Sequence, residues 1–513
     1  MEATTDIILR AEHISKAFVG VQALDAVDVT IRKGRIHCLA GENGSGKSTF
    51  VKAVSGVYQP DAGNIVLNGT AYGHLTPSQA MKEGVQVIYQ DLSLFQHMTV
   101  GENIAINTLR KEGKKLVNWA QVYKIAKAQT DRIGVTLDLS ATIMETSMAN
   151  RQLTAICRAL AQDAKLLFMD EPTTALTKSE VQNLLKVVLE LKAKGLAIVF
   201  ISHKLDEVFE IADEITIFRD GRKVGDFPSS ALNEQKLAYH MTGRDVQYPC
   251  YRRTCASEET LLEVKGLTKP GNYEDISFSM RPGDILGLTG LLGSGRTELA
   301  LSLFGLNPPT SGTILFEGAP VRIPSPSAAR QLGIALLPED RATQGLFKER
   351  SIRENLTSAM VDRLTRGLGF LDTKREMQLA QAGVSRLRVR TPSVETTIGS
   401  LSGGNQQKGV VAKWINLSPK LFIMDSPTVG VDIGSKAEIY ELIQAFAAEG
   451  MAILFITDEP EELMTNCNRV LIMANKRQVA VLEEAELARG DARARIAQAI
   501  RGAYDQAKER CTQ

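Results

Sequence analysis

The 513-residue chain repeats itself once, and that repeat is the strongest constraint on what it folds into. Gly41-Glu42-Asn43-Gly44-Ser45-Gly46-Lys47-Ser48, followed by Thr49, recurs as Gly290-Leu291-Leu292-Gly293-Ser294-Gly295-Arg296-Thr297, an offset of 249 residues. Phe168-Met169-Asp170-Glu171-Pro172-Thr173 recurs as Ile423-Met424-Asp425-Ser426-Pro427-Thr428, an offset of 255. Solenoid repeats have periods of roughly 20–50 residues, so a period this long marks a duplicated domain. Each half is long enough to bury a large core of its own.

Local patterning identifies the fold class as α/β. Apolar runs at 166–169, 196–201, 421–424 and 453–456 are continuous rather than alternating and end in polar turns. A strand buried on both faces, as in a parallel sheet between helices, has that composition. Helix-like stretches at 179–194 and 435–449 lie between them, and the alternation predicts α/β halves. The first half is expected over 7–245, a short linker over 246–259 and the second half over 260–500. The 249 offset still aligns Gln90 with Glu339, and the 255 offset aligns Ser147 with Ser402. The six extra residues therefore fall in the middle of the second half, beside helix-like stretches at 119–133 and 373–387. A helical subdomain that tolerates insertion is expected there.

Bulk properties exclude other classes. Lysine plus arginine number 60 against 59 acidic residues, with none of the basic excess that a nucleic-acid binder usually carries. The six cysteines are scattered without Cys-x-x-Cys spacing, which argues against zinc and against a disulfide framework. The acidic start, Met1-Glu2-Ala3-Thr4-Thr5-Asp6, does not read as a signal peptide. No apolar run approaches the roughly 18 residues that a membrane-spanning helix needs.

The first glycine loop lies between a strand-like stretch at 35–40 and a helix-like stretch at 48–55. That context makes the G-x-x-x-x-G-K-S pattern a phosphate loop: backbone N–H groups curl around phosphates at a helix N-terminus, where the dipole also favours anions. Lys47 is placed to reach the terminal phosphates and Ser48 to ligate magnesium. Asp170, after its buried strand, can hold the magnesium shell, and Glu171 beside it is the candidate general base for an attacking water.

Leu401-Ser402-Gly403-Gly404-Asn405-Gln406-Gln407-Lys408, ahead of Asp425, resembles the signature of ATP-binding cassette proteins. Gly287 to Glu298, Pro338-Glu339-Asp340-Arg341 and that signature together resemble the fused double ATPases of bacterial monosaccharide importers: the ribose, xylose, arabinose, galactose and autoinducer-2 systems. The resemblance implies two tandem nucleotide-binding domains, each a P-loop, RecA-like core with a helical subdomain. It implies that Phe18 stacks on adenine, that Gln90 ligates magnesium and reports to a partner, and that His203 contacts the γ-phosphate.

Cassette domains close head to tail, so each ATP lies between one domain's phosphate loop and the other's signature. One composite site then joins Gly41, Glu42, Asn43, Gly44, Ser45, Gly46, Lys47, Ser48, Thr49, Gln90, Asp170, Glu171 and His203 to Ser402, Gly403 and Gly404, with every role filled. The other has Arg296 for lysine, Glu339 at the glutamine, Ser426 at the catalytic glutamate and Asp458 at the histidine. Opposite it stand Met148 and Ala149 instead of paired glycines. Its adenine-stacking segment is shortened over 266–275. Ser426 departs from the family, as does Thr177, where an aspartate is usual. Hydrolysis is expected at the first site alone.

The implied function is the ATP-hydrolysing subunit of an importer for a monosaccharide or similar small polar solute. The implied partners are two membrane-spanning permease subunits and a periplasmic or extracellular solute-binding protein, with no nucleic acid and no direct contact with the solute. The implied location is the cytoplasmic face of the bacterial inner membrane. Residues 93–104 and 350–356 are the expected neighbourhoods for permease helices, with Leu94, Phe95 and Met98 exposed. A nucleoside importer differs mainly in its partners. A ribosome-acting double cassette would be expected to have two competent sites and a long charged linker.

Overall fold

The computed structural model describes residues 6–511, except 19, 113–116, 174, 175, 177, 203, 246–249, 256, 292, 367, 368 and 490. The chain divides into two units, residues 1–246 and 247–513.

In the first unit, continuous apolarity becomes buried parallel strands. Ile36–Ala40, Ala197–Ile201 and Leu166–Asp170 lie side by side, with Val85–Ile88 next to the last and Glu214–Arg219 on the other flank of Ile36–Ala40. Arg222–Pro228 closes that edge antiparallel. The helix Lys47–Val54 follows the central strand, and its Phe50 ring meets Phe218 edge-on at 5.7 Å. A second, antiparallel sheet is built on the long hairpin Ile7–Phe18 and Val21–Arg32. Both layers share a core that includes Leu39, Phe50, Phe168 and Phe218.

The second unit repeats this order around the central strand Ile285–Gly290, flanked by Ala452–Ile456, Leu421–Asp425 and Ile334–Leu337 on one side and Arg469–Ala474 on the other. Its antiparallel hairpin, Leu262–Lys269 and Tyr273–Met280, has strands of 8 residues where the first unit's have 12. Tyr251 belongs to this unit's core: its hydroxyl donates to the Gly283 carbonyl at 2.7 Å. The expected linker is therefore already packed on the second unit by residue 251. At the other end the helix Ala492–Cys511 runs beyond residue 500. Cys38, Cys157, Cys250, Cys255 and Cys467 are free thiols.

The helical subdomains contain Val100–Glu112, Trp119–Arg132 and Met148–Leu160 in the first unit and Ile352–Thr357, Thr373–Arg386 and Gly403–Ile415 in the second. A buried asparagine organises the entry to each. Asn103 accepts from the Phe95 N–H at 2.9 Å and donates to the Phe95 and Thr99 carbonyls. Asn355 does the same for Phe347 and Ser351. These clamps align the copies with an offset of 252, which divides the six-residue insertion. Three residues enter between Glu339 and Phe347, where the chain makes the π-helical turn Arg341–Gly345. The other three enter before Thr397, whose bridge to Ser351 matches that of Thr142 to Thr99.

Candidate functional site

The phosphate loop of the first unit is held open by its own lysine. Gly46 opens the helix Lys47–Val54 in a left-handed conformation, φ 101°, and no side chain caps the helix N-terminus. A Cβ at Gly46 would also collide with the Ala23 carbonyl, so only glycine fits this turn. Lys47 is buried, and its ammonium donates to the Gly41 carbonyl at 2.7 Å and the Glu42 carbonyl at 2.9 Å. It also reaches Ser45 Oγ at 3.5 Å. A cation in the middle of a glycine-rich loop at a helix N-terminus suits an anion.

The acidic pair stands beside that loop. Ser48 Oγ donates to Asp170 Oδ2 at 3.4 Å, and Gln90 Nε2 donates to Glu171 Oε2 at 3.3 Å. Burial, and then the charge of Glu171, push the Asp170 carboxyl above its ordinary value. Glu171 itself has φ 47°, a left-handed backbone uncommon for a residue with a side chain, and its N–H donates to the Ile201 carbonyl at 2.9 Å. The structure thus brings Lys47, Ser48, Gln90, Asp170 and Glu171 together. A hydroxyl, a carboxylate and an amide oxygen form an oxygen donor set that suits a hard cation such as magnesium. Among the described residues no group of three or more His, Cys, Asp or Glu could hold a metal ion.

Phe18 is half-exposed at the end of the long hairpin and meets the Tyr58 ring edge-on at 5.3 Å. Tyr58 follows the phosphate-loop helix and carries Lys52 over its face, a connection the sequence reading missed. His203 and Thr177 lie outside the described residues. Their neighbours form a buried knot, in which Glu207 accepts from Thr173 at 2.7 Å and from Ser202 at 3.1 Å.

The second unit keeps the loop's backbone turn and changes the side chains around it. Gly295 takes the same left-handed turn as Gly46, φ 95°. Arg296 is only partly buried, and Ser294 Oγ, which matches Ser45, is buried without a hydrogen-bond partner. The compact ammonium that fills the first loop has no equivalent here. Ser426 occupies Glu171's backbone post, φ 50°, with its N–H on the Ile456 carbonyl at 2.9 Å, but its hydroxyl turns back to Asp425 at 3.3 Å.

Asp425 is buried, and burial pushes its carboxyl up to about 6, with Thr297 opposing and Glu339 adding to the shift. The folded chain therefore holds this proton more tightly than the unfolded chain does. Stability from this group is present below about pH 4 and is lost as pH rises through about 6, by roughly 3 kcal/mol. In urea titrations of the nucleotide-free chain, Asp425→Asn should flatten that decline. Trp414 fluorescence in a Trp119→Phe background isolates the second unit. An unchanged slope between pH 4 and 6 would remove Asp425 as its cause.

The signature residues Ser402, Gly403 and Gly404 start the helix Gly403–Ile415 in the second unit, with Asn405 Nδ2 donating to Ser402 Oγ at 3.0 Å. Both glycines have a packing reason inside their own unit. A Cβ on Gly404 would run into Ser435, and one on Gly403 would crowd Arg341 and the Gly430 carbonyl. Arg341, from the π-helical turn, donates to the Val429 and Gly430 carbonyls at 2.9 and 3.1 Å. In the first unit Met148 is exposed at the equivalent helix start, and Ser147 caps that helix through the Asn150 N–H.

The expected docking neighbourhoods need one correction. Phe95 is exposed at 52 % and Met98 is half-buried, but Leu94 is buried. Phe347, which sequence reasoning did not single out, is the second unit's counterpart of Phe95 and is exposed at 64 %. Only the clamp equivalence of Asn103 and Asn355 pairs them. Each entry segment is also tied to its signature-position helix. Arg158 donates to the Leu92 and Ser93 carbonyls at 2.9 and 2.7 Å, and Lys413 donates to the Gly345 carbonyl at 2.8 Å.

The profile of the ABC transporter family matches residues 24–174 and 273–429, once in each unit. A putative ribose/galactose/methyl galactoside import ATP-binding protein of Pseudomonas syringae pv. tomato is 40% identical over 94% of the chain and 92% of its own length. A ribose import ATP-binding protein, RbsA 1, of Rubrobacter xylanophilus is 42% identical over 92% of the chain and 94% of its own length. One more putative ribose/galactose/methyl galactoside import ATP-binding protein, from Agrobacterium fabrum, is 39% identical over 94% of the chain.

Proposed function

The chain belongs to the ABC transporter family, and from that premise we propose that it is the ATP-hydrolysing subunit of a bacterial importer for ribose, galactose or a related monosaccharide. The observation that carries this reading is about 40% identity to sugar-import ATP-binding proteins along nearly the whole chain. The gathered groups of the first phosphate loop supply the chemistry.

ATP is taken up with its phosphates in the loop from Gly41 to Thr49 and its adenine against Phe18. Lys47 leaves the Gly41 and Glu42 carbonyls for the β- and γ-phosphates, an exchange of one set of buried oxygen acceptors for another. Ser48, Gln90 and Asp170 would hold magnesium, which would neutralise charge on the phosphate oxygens. Glu171 accepts a proton from the attacking water as the water oxygen bonds to the γ-phosphorus and the bond to the β-phosphate oxygen breaks, releasing ADP and phosphate. The family resemblance assigns His203 to the γ-phosphate and Ser402, Gly403 and Gly404 to the nucleotide-contacting signature. Any nucleotide at the second phosphate loop is hydrolysed very slowly, and turnover is confined to the first.

Among the described residues no helix is long and apolar enough to cross a membrane, and the importer reading assigns the solute pathway to separate permease subunits. Phe95 and Phe347, each fixed by its asparagine clamp, are the contacts for two permease subunits. The ties from Arg158 and Lys413 pass changes at the signature-position helices to those contacts. ATP binding favours the closed arrangement and hydrolysis releases it, which biases the permease between its two access states. A solute-binding protein on the far side delivers the sugar, and this chain works at the cytoplasmic face without touching it.

Purification of the tagged chain from membranes, followed by reconstitution in proteoliposomes, tests the assignment. The expected result is co-purification of a permease and ATP turnover stimulated by a ribose- or galactose-loaded solute-binding protein. Recovery with ribosomes and without a membrane subunit would overturn it.

A further inference from the structure

Each unit exposes aromatic and basic side chains together at the same place in its helical subdomain, at the start of its second main helix. In the first unit this helix is Trp119–Arg132, capped by Asn118. Val122, Ala126 and Thr130 face inward, while Trp119 and Tyr123, one turn apart, are 62 % and 59 % exposed. A globular helix ordinarily presents charges on its outer face, so two large rings there are unpartnered apolar surface. Lys124 stands next to them, exposed, and is in no ion pair among the described residues.

The second unit reaches the same result with different residues. Its corresponding helix, Thr373–Arg386, is capped by Asp372 and preceded by the short hairpin Thr365–Arg366 and Phe370–Leu371. Phe370, at 72 %, is the most exposed large apolar side chain among the described residues, and Leu371 is exposed beside it. Lys374 and Arg375 follow, both exposed and outside any ion pair among the described residues. The nearby carboxylates are already engaged: Asp362 by Arg330 at 2.8 Å, and Asp372 by the Arg375 N–H at 3.1 Å. The exposed groups stand at different positions, yet among the described residues the first turn combines two rings with one unpaired cation and the second one ring with two, in a chain whose charges otherwise balance, 60 against 59.

We propose that each of these turns is by itself a contact for the bilayer surface, with Trp119, Tyr123 and Phe370 in the headgroup region and Lys124, Lys374 and Arg375 against anionic lipid phosphates. Trp and Tyr rings, with an apolar body and a polar edge, concentrate at the membrane interface, Phe370 adds apolar area alone, and long basic side chains lay their stems on apolar surface while the charge meets phosphate. Anionic headgroups complement exactly the charge that these turns leave uncompensated, which favours lipid over a neutral protein groove. The proposal relies on the importer reading only to bring the chain to a membrane.

The test uses the full chain and vesicles of phosphatidylcholine with or without phosphatidylglycerol. Expected is sedimentation with anionic vesicles, weakened by salt, and a blue shift of tryptophan emission. Trp119 is the reporter, because the only other tryptophan, Trp414, is partly buried with its indole nitrogen covered. Trp119→Phe should abolish the shift and still sediment. Lys374→Gln and Arg375→Gln should each lower partitioning about fivefold, and Trp119→Ser with Phe370→Ser should lower it further, while basal ATPase activity stays intact as the check on folding. No preference for anionic vesicles, or unchanged partitioning of the combined variants, overturns the proposal. Unchanged partitioning with lost permease co-purification would assign the turns to a protein contact and also overturn it. If the unmodified chain ignores vesicles yet co-purifies with a permease and supports transport, the lipid contact fails and the importer assignment stands.

Discussion

Glu171→Gln lowers ATP turnover by the assembled transporter by about 10²–10⁴-fold, and Ser426→Ala leaves it near the unmodified rate. The two residues make a controlled comparison. Both sit in left-handed backbone, φ 47° and 50°, and both donate their N–H to the next strand at 2.9 Å. Position is therefore constant and only the side chain differs. Glu171 carries a carboxylate within reach of Gln90, whereas Ser426 carries a hydroxyl turned back to Asp425. A hydroxyl at neutral pH is a poor proton acceptor, so its removal costs nothing that a general base supplies. Ser426→Glu alone should not create a second working site, because Ser294 Oγ stays unpartnered and no ammonium fills that loop. Single-turnover measurements on reconstituted transporter decide the matter. Comparable losses in Glu171→Gln and Ser426→Ala would mean that both sites hydrolyse ATP and that the one-site proposal is wrong.

This asymmetry was legible in the sequence because residue identity at a fixed offset does not depend on packing. The buried strands and long helices were legible for a related reason: a strand with both faces covered must be continuously apolar, and 166–169, 421–424 and 453–456 are. What depends on a third dimension was not legible. The total offset of 255 hides the fact that half the insertion widens the turn at Arg341–Gly345 and sends Arg341 onto the Gly430 carbonyl. Leu94 and Phe95 are adjacent apolar residues, and only the asparagine clamp at Asn103 determines which one turns outward. The signature glycines look like ligand-facing residues in sequence, yet Gly404 is also required by Ser435 within its own unit. Nor can a run of text distinguish the exposed Trp119 from a core tryptophan.

The largest stability effect is expected at a buried charge that changed places between the copies. In the second unit Glu462 accepts from Thr457 at 2.6 Å, from Tyr440 at 2.8 Å and from Thr428, and pairs with Lys436 at 2.7 Å. It joins the segment after Asp425 to the strand end before Asp458, as Glu207 joins Thr173 to Ser202 in the first unit. Glu207, however, takes its cation from Lys204 at 3.2 Å. At an offset of 255 the second copy has Glu459 where the first has Lys204, and Lys436 where the first has Val181. Burial alone would lift the Glu462 carboxyl, but Lys436 and the hydroxyl donors hold it below its ordinary value. Lys436→Val strands Glu462 and Glu459 without a cation and should cost about 3 kcal/mol, the lower end for a broken buried pair because Lys436 keeps some contact with water. The sign of the pH dependence should also reverse. In the unmodified chain Glu462 contributes stability above its unfolded value, lost as pH falls; in Lys436→Val its folded value rises, so the penalty grows as pH rises. Adding Glu459→Lys to Lys436→Val rebuilds the first unit's arrangement in the second and should recover most of the loss. Urea midpoints for the three chains, read at acid and neutral pH, test each step, and a double variant no more stable than Lys436→Val would show that the cation's position, not merely its presence, holds Glu462.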